Sequence, residues 1–534
     1  MAFSRDRSYP SGSQSLSNRS MVALAVVVML ASGLAYLGFA AHPGSAQEES
    51  NPRTRSGAGF GLGGLGLPAD RDKLYQPDKN YIQLPLPLQD GKYASIKAAD
   101  IEKYQSDIIA IAEKSKSDGN QYWGRITGTK YDHMTSDYMM ATFKKLGLEQ
   151  VHEQELELPP QWMPQSWKVS LKTGGQTIPL TSAYPFQNSA GTNDGETIEN
   201  EVVWVGFGTA ADFAGRDVKG KAVFIYSWPT PGGRDSTADW NGAIRRAQDS
   251  GAASIFKILA FPGNAQGINS SFASKVPGIQ LGQDDGNLVR VAIEKGEKPK
   301  VDISLNVKMV PNLKTHNTWG VLPGQSKENI QILAHHDAFF DGALDNASGS
   351  ALMLTIVRYY AALPRSQRHY TLTFLDTSGH HSSPDVGAQW VNAYMKDYLA
   401  NTVLIVNCEH TSATQIYYIN DGMVTSNAID ARRWFVSGSD TFKKMVKATF
   451  DEFGVQLYTV PEESPGGELS QFVRDAPSFH IIDHVFYHTS LDTQDWTPGP
   501  GQEAVARAYL KILDNSMKLT RAEIRGPDFP TPKP

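Results

Sequence analysis

Cysteine is almost absent. Cys408 is the only one in 534 residues, which excludes an intramolecular disulfide framework and any cysteine-rich zinc site. A metal in this chain has to be held by histidine and carboxylate, and Cys408 itself reads as a small buried hydrophobe near a strand end. An excess of positive charge is also missing. Lys and Arg number 50 against 56 Asp and Glu, a formal net charge of -6, and no local basic patch supplies a nucleic-acid footprint. Internal repeats are missing too. With 40% hydrophobic and 20% charged residues the composition is globular, and the length calls for two domains or for one with a large insertion.

One long apolar run is present, from Met21 to Ala41, preceded by Arg5, Arg7 and Arg19. This pattern belongs to export. Residues 1–47 are expected to be a signal peptide or, if uncleaved, a membrane anchor, and both place the remainder in the periplasm or outside the cell. Residues 48–90, rich in Gly, Ser and Pro at their start, read as a flexible linker.

Helical spacing follows, in Ile101, Tyr104, Ile108 and Ile111 and again in Tyr138, Met139, Phe143 and Leu146. From about residue 159 to 311 short β-like runs such as Val202–Val205 and Ala222–Tyr226 alternate with Gly, Pro, Asn and Asp. Beyond Pro311 strands alternate with amphipathic helices: Ile330–Ala334, Ala347–Leu363, Tyr370–Leu375, Gly387–Tyr398, Val403–Val406 and a last helix Gln502–Leu519. The expectation is an α/β fold with a central, mostly parallel mixed sheet flanked by helices, built from residues 91–158 and 312–525 and interrupted by a β-rich insertion at 159–311.

Nine of the 13 histidines lie between His335 and His488. His335, His381, Glu409 and His488 each sit at or just past the end of an expected strand, where open α/β sheets gather functional groups. In His335-His336-Asp337 the His-x-Asp spacing lets an imidazole bind metal while Asp337 orients a ring nitrogen. Asp345, at the loop that opens the helix after Ala347, can cap that helix or bridge two metal ions.

From His335 through Asp345-Asn346-Ala347-Ser348-Gly349 the sequence resembles the metal-site signature of the M28 zinc aminopeptidases. Asn407-Cys408-Glu409 resembles that family's ligand strand, Gly466-Gly467-Glu468-Leu469-Ser470-Gln471-Phe472 its substrate-side loop, and Tyr487-His488-Thr489 its closing segment. Upstream, Tyr122-Trp123-Gly124-Arg125-Ile126-Thr127-Gly128-Thr129 is also similar, so the likeness spans roughly residues 95–520. Gly220-Lys221-Ala222-Val223, Gly251-Ala252-Ala253 and Val276-Pro277-Gly278-Ile279 make the insertion similar to a protease-associated domain, which implies a lid or substrate-selecting module. The resemblance implies a zinc exopeptidase acting on peptides, with one or two ions held by His335, Asp345, His381, Glu409 and His488. It further implies that Glu468 and Phe472 line the substrate side; Tyr487, beside His488, can donate to a developing oxyanion or simply pack there.

One departure matters. The family's Glu-Glu pair of general base and ligand is replaced by His380-His381, so by position His380 falls on the base and His381 on the ligand; an imidazole can do either task. Two other readings stand beside the peptidase: a binding protein that kept the fold without catalysis, and an acyltransferase of the glutaminyl-cyclase type. The oligomeric state is not legible in the sequence.

Overall fold

The computed structural model describes residues 80–230, 236–268, 270, 272–395, 400–419, 422–460, 468–469, 476–482 and 484–526. The apolar run Met21–Ala41 and Phe472 lie outside them. Among the described residues no helix is long and apolar enough to cross a membrane.

Two helices come first, α1 (Ala98–Ser117) and α2 (Lys130–Lys145), each burying the face that its apolar spacing marks: Ile101, Ile108 and Ile111 on the first, Met139 and Phe143 on the second. Strand β1 (Glu149–Glu157) leads out of this layer into a second sheet. That sheet contains β2 (Gln161–Thr173), β3 (Gln176–Pro179), β4 (Tyr184–Pro185), β5 (Ile198–Trp204), β6 (Ala222–Ser227), β7 (Ser254–Leu259) and β8 (Gly278–Leu281). Helix α3 (Gln283–Glu294) then precedes its last strand, β9 (Lys300–Val310). The eight strands run in the order β3-β2-β9-β5-β6-β7-β8-β4.

Strands β5 to β8 are parallel neighbours, and the short helices Ala210–Phe213 and Ala243–Asp249 lie on the connections between them. Parallel strands need such crossovers, and these are too short to give a readable helical period in sequence.

The chain returns through β10 (Lys314–Leu322), β11 (Asn329–His335), helix α4 (Gly349–Ala361), β12 (Thr371–Thr377), α5 (Val386–Tyr394) and β13 (Thr402–Asn407). It closes with β14 (Arg433–Val436), α6 (Asp440–Glu452), β15 (Ser478–Ile482) and α7 (Gly499–Ser516). These strands and β1 form a seven-stranded sheet ordered β14-β15-β13-β11-β12-β10-β1. The four central strands are parallel, whereas β14, β10 and β1 pair antiparallel at the edges. Strands β11 and β13 are buried along their whole length, as strands covered on both faces by helices must be. All described residues belong to one compact unit, Gly61–Pro534.

Asp514 on α7 fastens the N-terminal layer to this core. Its carboxylate accepts hydrogen bonds from Tyr93 (2.7 Å), Tyr359 (3.2 Å), Tyr360 (2.7 Å) and Lys92. Removing the acceptor leaves several donors at a largely buried junction without a partner. Asp514→Ala is therefore expected to cost roughly 2–4 kcal/mol, read as a lower urea midpoint with an unchanged slope.

Candidate metal centre

Strands β11, β12 and β13 end side by side, with His335 paired in register with Thr377 and Leu333 with Asn407. The loops beyond those ends are pinned before any ligand is considered. Arg125 is fully buried and donates to the carbonyls of His336 (2.8 Å), Asp341 (2.7 Å) and Gly342 (3.0 Å). Asp492 accepts from the backbone N–H groups of Leu344 (2.8 Å) and Asp345 (3.1 Å). Asn346 donates to the Cys408 carbonyl (3.0 Å). At Gly349 a Cβ would stand 2.1 Å from the Cys408 carbonyl oxygen and 2.2 Å from Asn346 Oδ1, so the first turn of α4 can approach β13 only because no side chain is there.

These restraints set the Asp345 carboxylate, 3% exposed, among four imidazoles. Its Oδ1 lies 3.3 Å from His335 Nε2 and 3.3 Å from His410 Nε2. Its Oδ2 lies 3.3 Å from His381 Nε2 and 3.2 Å from His488 Nε2. Neither carboxylate oxygen, nor Nε2 of His335, His381 or His488, makes a hydrogen bond. Buried polar atoms are nearly always satisfied, and a carboxylate flanked on each oxygen by a pair of imidazole nitrogens has the chemistry of two cation positions sharing one ligand. Asp345, His381 and His488 form one compact donor group, and His335, His380 and His381 form another.

The far sides of the rings are held as well. Asp337 serves two of them: its carbonyl faces Nδ1 of His335 (3.2 Å) and of His381 (3.1 Å). Its carboxylate accepts from the His381 backbone N–H (2.7 Å) and Thr127 Oγ1 (2.9 Å). A carbonyl at Nδ1 fixes the N–H there and leaves Nε2 to face Asp345. Behind this layer His336 lies between Asp376 Oδ2 (2.6 Å) and Asp132 Oδ1 (2.9 Å). Despite complete burial, those two carboxylates raise its pKa to about 10.

The electrostatics divide the rings. Burial opposes charge on His335, His380, His381 and His488, yet Asp337 and Asp345 outweigh it at His335, and Asp345 and Asp337 bring His381 up to about 9. At His488 burial prevails and lowers the pKa to about 3, and it also lowers His380. Against its own burial, Asp345 is held well below the usual carboxylate range by His381, His335 and His410.

Several expected residues therefore meet here: His335, Asp345, His381 and His488 around one point, with Asp337 behind two of them. His380 is close, its ring 4.4 Å from that of His335 and its Nδ1 3.7 Å from Asp385 Oδ2. Tyr487 is half-buried and stacks on His488 at 3.6 Å between ring centroids. Glu409 is also at the centre: its Oε1 lies 4.0 Å from His410 Nε2, and its Oε2 accepts from Asn407 Nδ2 (2.8 Å). The next residue, His410, faces Asp345; β13 stops at Asn407, and His410 adopts a left-handed backbone with φ of 39°. Glu468 is fully buried and accepts from Thr377 Oγ1. His410 and Asp492 were both visible, as a neighbour of Glu409 and within the segment after His488, but no spacing singled them out.

This architecture and this site define a zinc-exopeptidase fold. Residues 317–512 match the sequence model of peptidase family M28, while no curated protein sequence matches the chain. Among solved structures, a peptidase M28 precursor from Shewanella amazonensis is similar at 17% identity and a TM-score of 0.62, covering 83% of this chain and 100% of that one. BSAP, a zinc aminopeptidase from Bacillus subtilis, is similar at 16% identity and a TM-score of 0.57, covering 81% and 98%. These likenesses show the fold.

Glu468 yields a prediction about the metal-stripped chain. Burial pushes its carboxyl from 4.5 to about 8. Because the folded value is the higher one, the unfolded chain loses that proton first, and folding becomes less favourable as pH rises from about 4.5 to about 8. Glu468→Gln should therefore raise the melting temperature more at pH 8.5 than at pH 4.5, by on the order of a few kcal/mol of relief at most, in thermal melts at the two pH values.

Proposed function

We propose that this chain is a metal-dependent exopeptidase of the aminopeptidase type, with zinc as its metal and peptides as its substrates. The observation that carries this reading is the Asp345 carboxylate with two imidazoles on each oxygen and no hydrogen bond to either. His335 and His410 with Oδ1 would hold one ion, and His381 and His488 with Oδ2 a second. A divalent ion there supplies Lewis acidity, which acidifies water and polarises a carbonyl.

The chain's own residues divide the remaining work. His380, kept neutral by burial and packed against His335, takes the proton of the attacking water and passes it to the leaving amine. Tyr487, half-buried over His488, donates to the carbonyl oxygen as charge develops on it. Asp337 keeps the rings of His335 and His381 turned towards Asp345. The sheet of β2 to β9 fits the role of a protease-associated lid that selects substrates, and the basic and apolar start of the sequence supports export.

The reading is tested on the purified chain by metal analysis and by hydrolysis of aminoacyl and peptide substrates before and after chelation. Stoichiometric zinc with chelator-sensitive release of terminal residues is expected. Bound metal without turnover would favour a binding protein, and cyclised glutaminyl products would favour an acyltransferase. His380→Ala is expected to lower kcat by about 10²- to 10⁴-fold at unchanged metal content; full activity in that variant removes His380 from the mechanism.

A further inference from the structure

The two halves of the centre share the support of Asp337, which holds His335 and His381 alike, but differ in what else holds them. His335 and His410 are held within the seven-stranded domain. The first rests on the Asp337 carbonyl, and the second has its own carbonyl bound by Arg432 Nη2 (2.8 Å) and its ring against His484 at 4.9 Å.

His381 and His488 are reached by the inserted domain. Gln187 donates to the His381 carbonyl (2.7 Å). Ser270 Oγ lies 3.3 Å from His488 Nδ1, and the Ile268 N–H donates to the His488 carbonyl (3.0 Å). Around them Gly267 pairs with Thr489 as an isolated antiparallel bridge, and Ser490 N–H donates to the Gln266 carbonyl (2.9 Å). Phe261 packs on Phe486 at 5.3 Å between ring centroids. His488 also has a left-handed backbone, φ 56°, a conformation that persists only where its surroundings enforce it.

We propose that the inserted domain is a working part of the metal centre: through Ser270 and Gln187 it completes the positioning of His381 and His488, so that the cation position on Asp345 Oδ2 reaches full affinity only while that domain is docked. Ser270 and Gln187 are positioning residues, acting through the two rings. The inference rests on reading Asp345 as the shared ligand of two ions. It makes occupancy of one position sensitive to the placement of the inserted domain, with the other position left intact.

Removing a polar group that orients a ligand typically weakens metal affinity about 10- to 100-fold. The test is a Co(II) titration of the metal-stripped full chain, followed by visible absorption and by metal per chain after dialysis. Wild type is compared with Ser270→Ala/Gln187→Ala, with Ser270→Thr as the conservative rescue, and with both combinations repeated in a His410→Ala background. Wild type should take two ions. The double variant should keep one at wild-type affinity and bind the other about 10- to 100-fold more weakly, with Ser270→Thr close to wild type. In the His410→Ala background the remaining ion should show the whole loss. A double variant that binds both ions as wild type does, or weakens both equally, overturns the proposal while the metallopeptidase reading stands. Wild type taking up one ion also overturns it, and no uptake at all removes the metallopeptidase reading with it.

Discussion

A single carboxylate, buried and approached by four imidazoles, is the constraint around which this molecule is arranged. An ionised carboxylate without hydrogen bonds is costly in a protein interior, and the histidines about Asp345 hold its carboxyl well below the usual range against its burial. The surrounding polar groups serve that geometry. Asp492 grips the Asp345 backbone, Arg125 ties three carbonyls of the preceding loop, and Asp337 turns two of the rings. Behind them His336 is held between Asp132 and Asp376, just past the end of β11.

The sheet explains why these residues can meet. Parallel strands bring their carboxyl ends to one edge, so that residues far apart in sequence share a site. His335 ends β11, His381 follows β12 and His410 follows β13, while His488 comes from the loop beyond β15. The second sheet closes one side of the centre. Phe339, whose ring stands 4.9 Å from those of both His381 and His488, also belongs to the apolar core that includes Trp167 and Tyr184 of that sheet's segment. The two sheets therefore meet directly beside these histidines.

Much of this was legible in the residues themselves. The periods of Ile101, Ile108 and Ile111 and of Met139 and Phe143 mark the first two helices, and the apolar runs Ile330–Ala334, Tyr370–Leu375 and Val403–Val406 mark three central strands. The histidine cluster points to a metal once cysteine is excluded. What was hidden depends on three dimensions. That His410 faces Asp345 goes with a left-handed residue just past a strand, which no pattern of alternation encodes. The parallel pairing of β5 to β8 depends on crossovers too short for a helical period. Ser270 and Gln187 lie 218 and 194 residues from the histidines they touch, and a serine and a glutamine in loops carry no signal of their own.

The central claim concerns where cations sit, and anomalous diffraction at the zinc edge from crystals of the zinc-loaded chain measures that directly. Two peaks are predicted, about 3.5–4 Å apart, one among Asp345 Oδ1, His335 and His410 and one among Asp345 Oδ2, His381 and His488. A single ion held by His335, His380 and His381 away from Asp345, or no peak beside that carboxylate, would contradict it.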